Sequence, residues 1–134
     1  MTAAMHSPDE LERRHTLSTA TTRYDELRMR EALAAMDSDG ESPLSKEESL
    51  ELLALSEVVI RKAGYGRQAM VRTARGAGAT WTQIGSALGS SKQAAWEAHN
   101  RWIEEQARQH ELTGYQGFDP GEAQSARGLA GEPD

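Results

Sequence analysis

The sequence predicts an all-α, single-domain protein of about five helices, with a helix-turn-helix (tri-helical) unit toward its C-terminal side. Three observations predict it. Val and Ile are sparse and there is one Phe, so little of the chain suits strands. Ser45 and Thr80 each stand three residues before a Glu or Gln, Glu48 and Gln83, at the head of apolar runs, which is the sequence form of a capping box. Finally, Thr80–Arg101 (TWTQIGSALGSSKQAAWEAHNR) reads as two helices about a tight turn. Ile84 and Leu88 share one face, and Gly85 between them leaves room for a second helix. Gly89 is free to take the positive φ that ends a helix, and Ser90 or Ser91 caps the next helix, from Lys92 onward.

Taken in order, Ser7-Pro8-Asp9-Glu10 is a helix start, with a cap, a first-turn proline and acids. Leu11 to about Met36 follows as helix, with Leu17, Ala20, Tyr24 and Leu27 in one stripe and Met29, Leu33 and Met36 at a shifted angle. The TLSTATT stretch has weak helix propensity and allows a break near Thr16–Thr19. The first dozen residues are expected to fray. Asp37–Pro43 is a linker. Its Asp37, Asp39 and Glu41, with Glu48, invite a calcium-loop reading, but Gly40 is misplaced and Ser42 holds the glycine position, so a solvated turn is expected. Ser45–Ala63 is the strongest helix of the N-terminal half, ended by Gly64. Leu50, Leu52, Leu53, Leu55, Val58, Val59 and Ile60 make it apolar over most of its circumference, as a central core helix or a dimer contact. Tyr65 to about Ala77 is the next helix, with Met70, Val71 and Ala74 inward. The last runs from Lys92 to about His110, with Ala95, Ala98, Trp102 and Gln106 on one face. Its later turns are expected to pack on the N-terminal helices or on a second copy. Beyond Gly114 the chain is Gly-, Pro- and acid-rich. Tyr115 and Phe118 can dock back, and disorder is expected beyond Pro120. The organisation is thus 1–44, a helical region with linker; 45–112, a helical core with the helix-turn-helix at 80–101; and 113–134, an acidic, mostly disordered tail.

The segment around the glycine turn resembles the helix-turn-helix of small bacterial DNA-binding proteins, of the transcription-regulator type, through Ile84, Gly85, Leu88, Gly89, Ser91, Ala95 and Ala98. The wider phrase ARGAGATWTQIGSALGSSKQAAWE is similar to small proteins of this kind from high-GC bacteria. Two positions depart from the pattern: Ser90 stands where an aliphatic residue is usual, and Ala95 is smaller than the usual valine or isoleucine. The resemblance covers roughly Arg67 to Glu104. It implies sequence-specific double-stranded DNA binding and transcriptional regulation, through a recognition helix in the major groove.

Charge and composition agree with that implication. The chain has 134 residues, no Cys and net charge −6, so disulfides and cysteine zinc sites are excluded and a cytoplasmic, nucleoid-associated location is expected. The N-terminus lacks the apolar core of a signal peptide, and no run approaches the ~20 apolar residues of a membrane helix. Between Arg61 and His110 there are eight basic residues and three acidic ones, net +5 against −11 elsewhere, a basic middle between acidic flanks.

In this docking the start of the second helix meets base edges. Those residues are Ser91, Lys92, Gln93 and Trp96, with Glu97 and Asn100 one turn on. Gln93 either pairs with adenine or closes a capping box with Ser90; Lys92 reaches guanine or phosphate. Trp96 presses on a thymine methyl or sugar, or packs into the domain, and Glu97 sits in solvent or accepts from cytosine. Thr80, Thr82 and Gln83 open the first helix toward the phosphates, and Arg72, Arg75 and Arg101 are phosphate candidates or solvated surface arginines. Trp81 is expected to seal the small core. No nucleophile–base pairing, phosphate loop or HExxH is present, and His99 and His110 lie too far apart on one helix to share a metal. The expectation is therefore a non-enzyme without cofactor. Its partners are DNA, a second copy in a homodimer, and RNA polymerase or another regulator. The alternatives are a protein–protein adaptor for such a partner and a nucleoid-type binder with little sequence preference.

Overall fold

The computed structural model describes residues 7–36 and 43–133. The described chain is all-helical: α1 (Pro8–Arg14), α2 (Leu17–Met36), α3 (Lys46–Tyr65), α4 (Arg67–Gly76), α5 (Trp81–Leu88), α6 (Lys92–Thr113) and α7 (Pro120–Ala130). That is more than the expected five. The chain forms two compact units, Met1–Gly66 and Arg67–Asp134. Asp37, Asp39 and Glu41 of the calcium-loop reading, and His6, lie outside the described residues. No described helix is long and apolar enough to cross a membrane.

In the N-terminal unit α3 is the hub, with α1 and α2 packed on it. Its start is the expected capping box: Ser45 Oγ accepts from the Glu48 amide at 3.1 Å and Glu48 returns the bond to Ser45 N at 3.0 Å. The helix runs through Gly64 and stops at Gly66. Leu52, Leu55 and Val58 are buried with Leu27 and Ala20 of α2 and Leu11 of α1. The expected fraying of the first dozen residues is corrected from Ser7 on: Ser7 caps α1, and Leu11 is fully buried. The helix breaks at His15–Thr16, where Thr16 and Thr19 trade side-chain bonds to each other's amides at 3.0 and 3.1 Å, the local competition that makes such residues poor helix interiors. Arg23–Glu51 and Arg30–Glu48 are two-pronged pairs clamping α2 to α3. The Arg30 guanidinium, helped by the Ser45 amide, holds the Glu48 carboxyl down to about 2.

In the C-terminal unit α6 is the long element, against which α4, α5 and α7 pack. The expected disordered tail is instead helix α7. Asp119 caps it, Pro120 opens it, and Glu122 completes a capping box; Ala123, Ala126 and Ala130 are buried. The small alanines let α7 lie close on its neighbours. The later turns of α6 pack on it. Phe118 docks, its amide on Gln106 O at 3.0 Å, while Tyr115 stays outside. Helix α4 buries Val71 and half-buries Ala74, but Met70, expected inward, lies off that arc and is 62% exposed.

Candidate nucleic-acid interface

The α5–α6 junction is built from backbone outward. Thr80 caps α5 with its hydroxyl on the Gln83 amide at 3.1 Å, and Gln83 Oε1 returns to Thr80 N at 2.9 Å. At the far end Gly89 is left-handed (φ 73°, ψ 28°). Its amide donates to Ser86 O, and that of Ser90 donates to Gly85 O at 2.8 Å, the paired bonds of a Schellman stop. A β-carbon on Gly85 would lie 2.8 Å from Ser90 O and 2.9 Å from the carbonyl carbon and oxygen of Ser91. The missing side chain is therefore what lets the start of α6 rest on the middle of α5. This backbone contact stands where a pair of aliphatic side chains would otherwise pack, so Ser90 costs the turn little. Ser91, not Ser90, caps α6, accepting from the Ala94 amide at 3.0 Å. A capping box between Ser90 and Gln93 is thereby ruled out, and Gln93 is left exposed beside Lys92.

Below this surface runs a row of rings. Trp81 is buried, 5.6 Å from His99 between ring centroids; His99 stacks on Trp102 at 5.3 Å and 28°; Trp102 meets Phe118 edge-on at 5.3 Å. Arginines close both ends, Arg72 over Phe118 at 5.1 Å and Arg75 over Trp81 at 5.2 Å. His99, which the sequence reading took up only as an unsuitable metal ligand, is a fully buried core residue with Nδ1 hydrogen-bonded to Gln68 Oε1 at 2.9 Å. Burial, then the charges of Arg72 and Arg75, push its pKa down to about 4, so the ring is neutral and Nδ1 donates. The inward line of α6 is accordingly Ala95, His99 and Ile103, with Ala98, Trp102 and Gln106 half-buried beside it.

The last turn of α7 is held by three donors. Trp81 Nε1 donates to Ala130 O at 2.8 Å and Trp96 Nε1 to Gly131 O at 2.7 Å. Arg75 donates to Leu129 O at 2.9 Å, to Ala130 O at 3.3 Å and to Ala79 O at 2.9 Å. Those of residues 129–131 are the carbonyls a helix end leaves open, and a cation there also meets the negative end of the helix dipole. Arg75, a phosphate candidate by sequence, thus spends its guanidinium on carbonyls within the fold. Arg72 is half-buried on Phe118, and Trp96 binds Gly131 by its only donor.

The candidates therefore separate. Thr80, Thr82, Gln83, Ser91, Lys92, Gln93 and Arg101 are exposed, Asn100 is half-buried, and Arg72, Arg75 and Trp96 are drawn into packing. The +5 stretch also straddles the division at Gly66: the segment Arg67–Asp134 carries seven basic and eight acidic residues. Among the described residues no group of three or more His, Asp and Glu side chains converges as a metal site. The latch on α7 was announced only by Asp119-Pro120-Gly121-Glu122, a capping-box spacing inside an otherwise disorder-like composition. Comparison with protein-family models, curated proteins and solved structures found no match to this chain.

Proposed function

We propose that the C-terminal unit binds double-stranded DNA sequence-specifically, as a transcriptional regulator, with the start of α6 in the major groove and a homodimer presenting two such helices. The observation that carries this reading is the α5–α6 junction. A left-handed glycine stop and a side-chain-free contact at Gly85 hold a capped helix whose first turn, Ser91-Lys92-Gln93, is exposed. In that pose Gln93 pairs with adenine and Lys92 with guanine or phosphate, while Thr80, Thr82 and the first amides of α5 meet the backbone. With Arg72 and Arg75 turned inward, Lys92 and Arg101 remain from the candidate cations, so phosphate contacts are few. Each contributes about −0.9 to the slope of log K against log salt, giving roughly −2 per protomer.

A second reading, an adaptor that binds RNA polymerase or another regulator, is favoured by the near-neutral charge of this unit. Fluorescence-anisotropy titration of wild type and Lys92→Ala/Gln93→Ala on a pool of short duplexes, at two salt concentrations, separates them. Selection of a few duplexes by wild type and loss of that selection in the variant, by ~1–3 kcal/mol at one base pair, supports the regulator. Equal weakening on every duplex points to a nucleoid-type binder; no binding by either protein sinks the DNA reading and leaves the adaptor.

A further inference from the structure

The outward side of α3 carries a pattern that packing within its own unit does not use. Ser49, Leu53, Ser56, Ile60 and Ala63 recur at alternating spacings of four and three residues, the period of a helix seam that faces another helix. Helices α1 and α2 bury Leu52, Leu55 and Val58 and leave Leu53 and Ile60 each 67% exposed, with Tyr24, Arg28 and Glu31 of α2 bordering the Ser49–Leu53–Ser56 edge of the seam. Small and large residues alternate along the seam, so a second helix can approach to the near end of the usual ~8–10 Å interaxial range while the large side chains fill the gaps.

We propose that a second copy of the chain docks here, its α3 antiparallel to the first, about a two-fold axis at Leu53. Charge selects this arrangement. Lys46 lies one heptad before Leu53 and Glu57 one turn after it, and both are exposed; one oxygen of Glu57 accepts from Arg61 Nε at 3.1 Å, which leaves the other to face the second copy. A parallel pair sets Lys46 against Lys46 and Glu57 against Glu57. An antiparallel pair with its axis between Ser56 and Glu57 brings the two Glu57 carboxylates together at the centre. With the axis at Leu53, Leu50 of one copy crosses Ser56 of the other, and Ile60 lies under the aliphatic stem of the other copy's Lys46. Glu57 then sits within one turn of that ammonium, twice by symmetry. The interface concerns the N-terminal unit alone and does not rest on the DNA reading.

The full chain is measured by sedimentation equilibrium up to about 100 µM, the range in which mass action populates a modest dimer. Leu53→Glu is expected to weaken association at least about 100-fold, as for a central apolar anchor, with unchanged far-UV circular dichroism because the side chain is exposed. Lys46→Glu and Glu57→Lys should each weaken it about fivefold, and the double reversal should restore it, since two symmetry-related exposed pairs are lost and regained. The chain has no Cys, so Leu53→Cys places one thiol on the axis. It should form a disulfide dimer under mild oxidation, whereas Ile60→Cys should not, its nearest counterpart being Lys46 and not itself. A monomer at 100 µM overturns the proposal. So does a dimer indifferent to Leu53→Glu, or a double reversal that restores nothing.

Discussion

Gly85→Ala adds one methyl group at the point where two helices are closest. Its β-carbon would sit 2.8–2.9 Å from three backbone atoms of Ser90 and Ser91, against an optimum near 3.5 Å or more for such contacts. No side chain can rotate away. Relief requires the start of α6 to retreat by about half an ångström or more, which stretches the 2.8 Å bond from Ser90 N to Gly85 O. Overpacking of this kind costs about 1–3 kcal/mol, and replacing a helical glycine returns about 1 kcal/mol, leaving a net loss of up to about 2 kcal/mol. For a unit of this size that lowers Tm by up to about 15 °C. Trp81, Trp96 and Trp102 all lie in the C-terminal unit, so tryptophan fluorescence reads its unfolding without interference from the other. Gly64 in α3 is the control: nothing lies within 4 Å of a β-carbon there, and Gly64→Ala should raise the stability of the N-terminal unit by up to about 1 kcal/mol, followed by circular dichroism. A Gly85→Ala protein that gains as much stability as the Gly64→Ala control would refute the close-approach argument.

Three more outcomes follow from the buried and paired groups. An unfolded His99 takes a proton near its ordinary pKa of 6.5, whereas the buried ring refuses one until about 4. The unfolded state therefore binds more protons in that window: stability is complete above pH 6.5 and falls as pH drops toward 4, by up to roughly 3 kcal/mol. Urea midpoints read by fluorescence at pH 7.5, 6 and 5 test this, and a midpoint that rises on acidification contradicts a neutral His99. The N-terminal unit should respond later, because the stabilisation from Glu48 is present above 4.5 and is lost only as pH falls toward 2. Arg75→Gln should destabilise the C-terminal unit by about 2–3 kcal/mol through lost charge-assisted bonds while leaving the salt slope of any DNA binding unchanged; a slope shallower by about 0.9 would instead identify Arg75 as a phosphate clamp.

Local chemistry with a fixed spacing could be read from the residues: the capping boxes at Ser45/Glu48 and Thr80/Gln83, the stop at Gly89 and the break at Thr16. These depend on a few neighbours in the chain. What was missed depends on partners far along it. Helix α7 was hidden because Ala123, Ala126 and Ala130, though helically spaced, contribute little hydrophobic signal among glycines and acids. The direction of Arg75 was set by carbonyls of residues 129 and 130, which no pattern near position 75 reveals. His99 was weighed only as a metal ligand because its burial depends on Trp81 of another helix as well as on Trp102 of its own. At the candidate interface, the backbone frame was readable and the fate of the arginines was not.

The latch on residues 129–131 also orders events during synthesis. Helices α1 to α3 share a core made of residues already translated, so that unit can close while the ribosome is still adding the second. The α5–α6 pair has no such freedom. Until residues 120–131 clear the exit tunnel, Trp81 and Trp96 lack their acceptors and the ring row has one side open. A chain ending at Gly114 would therefore carry the turn, both caps and Gln93, with the ring row open where Phe118 and the end of α7 close it.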